Sequence, residues 1–393
     1  MRYFIIAGEA SGDLHASNLM CELKKQDAQA EFCFLGGDLM QEQGGIMVKN
    51  YREMAFMGFI AVLKNIRKVI RNIDDCKNAI TNFKPDVIIL IDYPSFNLRI
   101  AKFVKKNFKT PVFYYISPKL WAWKTYRIKD IKRYIDRMFT IFPFETEFYK
   151  QFNYQVDYVG NPTVDSISAQ CNKYQSFTEF CTENKLSDKP IIALLAGSRK
   201  QEISACLPKM IEAANSFSDY QILISGAPGI DVTYYETILK KQKIKLIFNQ
   251  TYQLIYHAKA AIVNSGTATL ETALIGTPQV VVYHVILGRI AYWVKNFIIK
   301  TKFISLVNIV AQKPVVKELI AHQFTVQNIE NELTELLNNQ VYIQKMLAEY
   351  NEIGKQLGSA GASSIAAKKM YNALKNNNYS ATQPPKGGVL AHP

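Results

Sequence analysis

Short apolar runs recur along the first part of the chain at residues 3–7, 31–35, 87–91, 111–116, 137–141 and 154–159, most of them separated by helix-like stretches. Runs of that length bounded by turn residues read as buried strands, and their alternation with helices reads as a parallel α/β sheet. A second series follows at residues 191–195, 220–224, 244–248, 260–263 and 279–283. The polar stretch 168–189 between the two series has no clear strand and reads as a linker. The pattern predicts an α/β protein of two Rossmann-like doubly wound lobes, residues 1–167 and 190–345, with a ligand cleft where strand C-terminal ends gather. Helices are expected over 346–376, and residues 377–393 have the composition of a loose tail.

The turns that close these strands hold the candidate chemistry. After the first run come Gly8, Glu9, Ala10, Ser11, Gly12 and Asp13, and then a helical pattern over 14–25. The glycines allow close backbone approach, and a helix N-terminus offers free amides. The spacing is not G-x-G-x-x-G, and Glu9 and Asp13 suit sugar hydroxyls better than a naked phosphate. The run 87–91 delivers Asp92 to a sheet edge, followed by Tyr93, Pro94, Ser95, Phe96 and Asn97; a carboxylate there can take a proton from a hydroxyl. Ser117, Trp121 and Trp123 follow the run 111–116, and indoles on a loop favour sugar faces or interfaces.

In the second lobe, Gly197, Ser198 and Arg199 follow the run 191–195, where a guanidinium fork and turn amides fit a diphosphate. Ser265, Gly266 and Thr267 repeat the device. Glu271 stands on the next helix, where a carboxylate can accept from both ribose hydroxyls. Each motif also has a plainer structural reading: an N-cap or Asx turn, an Arg199–Glu202 ion pair, core packing for the tryptophans.

Charge narrows the partners. The 393 residues carry 47 Lys and Arg against 33 Asp and Glu, a net charge of +14, which favours an anionic partner. No helix-turn-helix, zinc-finger or RRM signature is present, so nucleic acid is not expected. Met57, Phe59, Ile60 and Leu63 run into Lys64, Arg67, Lys68 and Arg71. Such a stripe is usually core, yet its basic edge also suits acyl chains at an anionic bilayer surface, and residues 286–310 raise the same question. No run approaches the roughly 20 apolar residues of a membrane span, so any membrane contact is expected to be peripheral. Six cysteines without C-x-x-C spacing and the lack of a signal peptide point to the cytoplasm. Five histidines without ligand spacing and no Asp-x-Asp lead us to expect no metal and no cofactor.

Together with Gly36, Gly37, Met40, Gly58, Pro143, Phe144, Glu145 and Asn308, these motifs resemble in order and spacing the lipid-A-disaccharide synthase family, over roughly residues 1–345. The resemblance implies a GT-B glycosyltransferase of Gram-negative bacteria, peripheral on the inner membrane. It would join UDP-2,3-diacylglucosamine to 2,3-diacylglucosamine 1-phosphate with inversion, releasing UDP. Asp92 would be the base, Arg199 and the amides of residues 265–267 would hold the departing UDP, Glu271 the ribose, and Asn308 the diphosphate or donor sugar. The family also suggests a homodimer. Ser95, Lys119, Asn161 and Ala196 depart from its usual pattern. Two other readings share the fold: another UDP-N-acetylglucosamine-using enzyme, such as an epimerase or a cell-wall glycosyltransferase, and a non-catalytic membrane-surface binder.

Overall fold

The structure is a computed structural model and describes residues 1–54, 66–121, 125–171, 173–240, 242–284 and 302–377. It divides into two units, Met1–Pro162 with Gly361–Pro393, and Thr163–Ala360. The first unit is built on β1 (Arg2–Ala7), β2 (Glu31–Gly36), β3 (Ile46–Asn50), β4 (Val87–Ile91), β5 (Val112–Tyr115), β6 (Arg137–Thr140) and β7 (Asp157–Tyr158). The second is built on β8 (Ile191–Leu195), β9 (Gln221–Ser225), β10 (Lys245–Ile247), β11 (Ala258–Asn264), β12 (Gln279–Tyr283) and β13 (Glu318–Ile320).

The sheet orders are β3-β2-β1-β4-β5-β6-β7 and β10-β9-β8-β11-β12-β13, and every pairing is parallel. Each is the doubly wound Rossmann order, so the expected fold class holds. The central strands are apolar at every position because helices cover both sheet faces; Val87–Ile91 and Ile191–Leu195 are buried throughout. Strand order reverses between β1 and β4 and again between β8 and β11. Ligands of open α/β sheets bind outside the strand ends at such a reversal.

Several elements differ from the sequence expectation. The edge strands β3 and β13 carry no strong apolar signal, since Ile46 and Met47 are exposed and β13 is three residues long. The run 154–159 contracts to two paired residues because Tyr154 turns into the core, its hydroxyl donating to the Ile135 carbonyl at 3.2 Å. The expected linker 168–189 holds the end of the helix Pro162–Cys171 and all of the helix Phe177–Glu183. The latter opens on a Ser176–Glu179 capping box and sends Phe180 into the second core beside Ile191.

The C-terminal helices do not form one block. Val326–Asn338 and Gln340–Leu357 lie within the second unit, whereas Ala362–Lys375 belongs to the first and packs on the helix Ala10–Gln26. Its buried face is mostly small, with Ala362, Ala366, Ala367 and Ala373 around Met370, which lets the two backbones approach. Lys369 fixes its angle by reaching Asp157 at 3.0 Å, the carboxylate that Arg137 also holds at 2.7 Å. Residues 378–393 of the expected tail lie outside the described residues.

Candidate functional site

In the first unit both turns at the strand reversal are the ones singled out from the sequence. The helix after β1 starts at Ala10, so Ser11, Gly12 and Asp13 are in its first turn rather than in a loop. Glu9 is the N-cap with extended backbone and makes no side-chain cap bond, leaving the first-turn amides uncapped by it. Asp13 is committed elsewhere. It is 3% exposed and accepts from the amides of Gly37, Leu39 and Met40 at 2.8, 3.2 and 3.2 Å, tying this helix to the next turn. Burial raises its pKa against the pull of those amides.

Across the reversal, Asp92 and Tyr93 both adopt left-handed backbone, φ 41° and 46°. Two adjacent non-glycine residues in that region cost about 1–3 kcal/mol each and persist only where their surroundings hold them. The holding groups are visible: the Asp92 carbonyl accepts from Asn97 Nδ2 at 2.6 Å and from the Tyr114 hydroxyl, and Asn97 also donates to the Ile91 carbonyl at 3.2 Å. The Tyr93 ring lies on Gly8, where a Cβ would stand 2.4 Å from it, and its hydroxyl donates to the Met54 carbonyl at 3.2 Å. Glycine at position 8 therefore brings the two turns into contact. Asp92 is half-buried at the strand end, placed by backbone strain that Asn97 and Tyr114 sustain.

In the loop after β5, Trp121 takes the core-packing alternative rather than a sugar-facing one. Trp121 is 8% exposed, packs edge-on to Phe144 and donates its indole N–H to Glu145 at 3.2 Å. The Ser117 hydroxyl donates to the same carboxylate oxygen, and the amides of Ile141 and Phe142 donate to the other at 3.1 and 3.0 Å. An indole beside a buried acceptor gains more by donating to it than by facing water. Glu145, 1% exposed and pushed up in pKa by desolvation against those four bonds, was not a candidate from its residue type alone. The available signal was a glutamate at the third position of a helix opened by Pro143, the reciprocal half of a capping box. Trp123 lies outside the described residues.

In the second unit, the turn after β8 places Gly197 at φ 112° and Arg199 as N-cap of the helix Lys200–Ala214. The ion pair offered above as the plain reading is present: Arg199 Nη1 donates to Glu202 Oε1 at 2.7 Å, and the Ser198 amide donates to Glu202 Oε2 at 3.1 Å. After β11, Gly266 is the N-cap of the helix Thr267–Ile275 with no side-chain cap bond, and Ser265 Oγ donates to the Ile304 carbonyl at 3.2 Å. Glu271, one turn along, accepts from the Tyr252 hydroxyl at 3.4 Å, and burial raises its pKa to about 7.

Asn308 is turned inward. It is 1% exposed, its Oδ1 accepts from the Val315 and Val316 amides at 2.8 and 2.9 Å, and its Nδ2 donates to the Val316 carbonyl and to Glu318, each at 2.9 Å. Glu318 also accepts from the Ile304 and Ser305 amides. Asn308 thus shapes the segment that supports Ser265, and its amide has no capacity left for a ligand.

Of the apolar-basic stripe, Met57, Phe59, Ile60 and Leu63 lie outside the described residues, while Arg67, Lys68 and Arg71 are exposed on the helix Ile66–Phe83. Among the described residues no helix is long and apolar enough to cross a membrane, and no three His, Cys, Asp or Glu side chains gather as metal ligands.

The sequence model of a family described as lipid-A-disaccharide synthetase matches residues 3–370. The chain belongs to the lipid-A-disaccharide synthetase family. Membership makes it a glycosyltransferase of lipid A biosynthesis, as the motif resemblance implied. Relatives named lipid-A-disaccharide synthase include one from Syntrophus aciditrophicus, 36% identical over 95% of this chain and 98% of that one. One from Myxococcus xanthus is 36% identical over 95% and 97%, and one from Coxiella burnetii 34% over 94% and 98%.

Solved structures of similar fold include the UDP-GlcNAc 2-epimerase of Neisseria meningitidis bound to UDP-GlcNAc. It has a TM-score of 0.67 and 15% identity over 95% of this chain and all of that one. The calicheamicin glycosyltransferase CalG4 has a TM-score of 0.57 and 12% identity over 96% and 98%. At those identities the epimerase and CalG4 share the fold with this synthetase-family chain, and the epimerase alternative gains nothing beyond it.

Proposed function

We propose that the chain transfers a 2,3-diacylglucosaminyl group from UDP-2,3-diacylglucosamine to O6 of 2,3-diacylglucosamine 1-phosphate, with inversion at the anomeric carbon. The observation that supports this best is that the candidate base and the candidate donor groups stand at the strand-reversal turns of a chain of this family. Asp92 accepts the 6-hydroxyl proton as that oxygen forms its bond to the anomeric carbon. The bond from that carbon to the diphosphate breaks on the opposite side, and UDP leaves with the electron pair. Arg199 and the amides of residues 197–199 and 265–267 stabilise the departing charge, and Glu271 takes the ribose hydroxyls. Glu9 and Ser11 serve acceptor hydroxyls. Asp13, Asn97, Ser117, Trp121 and Asn308 act by holding the turns in place.

The acyl chains and the net charge of +14 fit a protein resting on an anionic inner-membrane surface from the cytoplasmic side, with Arg67, Lys68 and Arg71 facing the lipid. A homodimer is part of the same reading. Incubating the purified chain with both sugars tests the reaction. The expected product is a β-1′,6-linked disaccharide 1-phosphate, identified by mass and by anomeric proton coupling; an α linkage, or epimerised UDP-sugar without transfer, overturns the reading.

A further inference from the structure

We propose that Glu202 is a specificity-determining residue of the donor site. Its carboxylate occupies the anion cradle of the turn 197–199 as a built-in competitor, which a diphosphate anchored through its nucleoside displaces and a free phosphate does not. The inference rests on the donor-site reading above.

The two donors that would hold an anion at this turn already hold one, the Ser198 amide at 3.1 Å and the Arg199 guanidinium at 2.7 Å. The carboxylate fills the concave side of the turn. A Cβ on Gly197 would stand 2.5 Å from Glu202 Oε2 and 2.8 Å from Asn264 Nδ2, so the acid reaches the space beside the end of β11. The positive charge of Arg199 is matched by the chain itself, which removes the long-range attraction a bare guanidinium would exert on any phosphate.

Exposure sets the strength. The Arg199 and Glu202 side chains are 40% and 26% exposed, so their pairing is modest and worth at most about fivefold in affinity. That is weak enough to be displaced by a ligand with further contacts, such as ribose hydroxyls on Glu271. It weakens every anion at the turn by the same factor, so inorganic phosphate or pyrophosphate, which binds the turn alone, falls below saturation at concentrations where UDP, with those further contacts, still binds.

Calorimetric titration of the full chain with UDP and with inorganic pyrophosphate tests this in wild type, Glu202→Gln, Glu202→Asp and, as a control, Glu212→Gln on the exposed face of the same helix. Glu202→Gln is expected to bind UDP up to about fivefold tighter and to gain the same factor for pyrophosphate. Glu202→Asp keeps the charge but falls short of the Ser198 amide, and is expected to shift the same way by less. Glu212→Gln should match wild type. Unchanged or weaker UDP binding in both Glu202 variants overturns the proposal and leaves the acid a simple orienting partner of Arg199. A wild-type chain that binds no UDP overturns the donor-site reading, and this inference with it.

Discussion

Asp92 occupies a left-handed backbone conformation, φ 41°, that Asp tolerates better than most residue types but that still costs energy. Asn97 and Tyr114 grip its carbonyl, and Gly8 makes room for the ring of Tyr93, so a strained turn is held by neighbours that themselves bring no reactive group. Glu271 makes the opposite case, a side chain whose proton affinity is reset by its surroundings. Burial raises its pKa to about 7, well above the ordinary carboxylate range, so its protonation changes near neutrality. With ribose hydroxyls donating to the ionised form, as proposed above, UDP affinity should fall as pH drops through 7, approaching tenfold per pH unit well below it.

Titration calorimetry from pH 8 to 5.5 checks this, and Glu271→Gln should flatten the profile. The sign for folding is the reverse. A carboxyl whose folded pKa is raised contributes stability below its ordinary value near 4.5, and that contribution is lost as pH rises through 7. Residue types and turn positions singled out Asp92, Arg199 and Glu271 as candidates, and the structure places them at strand-end turns or on the helix that follows one. Those signals did not expose that Asp13, Trp121 and Asn308 spend their polar groups inward, because that depends on partners brought from elements 24 residues away in two cases, and on an inward-facing loop in the third.

At the level of elements, Glu145 joins the loop after β5 to the turn after β6, with four donors converging on one buried carboxylate. Replacing it by Ala leaves those donors without an acceptor, and each buried unsatisfied group costs about 1–3 kcal/mol. Glu145→Ala should lower stability by about 3 kcal/mol or more in urea denaturation and shift tryptophan emission to the red as Trp121 meets water. An unchanged midpoint and spectrum would show the network to be dispensable.

The central strands were legible because a parallel strand covered on both faces must be apolar throughout. The edges were not: β3 and β13 are half-covered or very short, and their register comes from the neighbouring strand rather than from their own pattern. The helix Ala362–Lys375 was legible as a helix but not as a part of the first unit. Its small-residue face fits any close helix partner, and the Asp157–Lys369 contact that fixes it spans 212 positions.

At the scale of the whole molecule, the two sheets repeat one strand order and carry different chemistry at the same topological place. The first presents Glu9 and Asp92, the latter on strained backbone, and the second a guanidinium and amide-rich turns. The basic surface belongs to this scale too. Reversing Arg67, Lys68 and Arg71 together to Glu should reduce binding to vesicles containing anionic lipid by at least tenfold at low salt, with little effect on neutral vesicles. Flotation assays at two ionic strengths would read this, and equal binding by the variant would place the membrane contact elsewhere.

The proposed transfer turns on a chemical step at Asp92. UDP release from UDP-2,3-diacylglucosamine should be measured with and without 2,3-diacylglucosamine 1-phosphate, in wild type and in Asp92→Asn. Release that depends on the acceptor, and that falls by a hundredfold or more in the variant while UDP still binds, is the predicted result. Acceptor-dependent release at the wild-type rate in Asp92→Asn would contradict it.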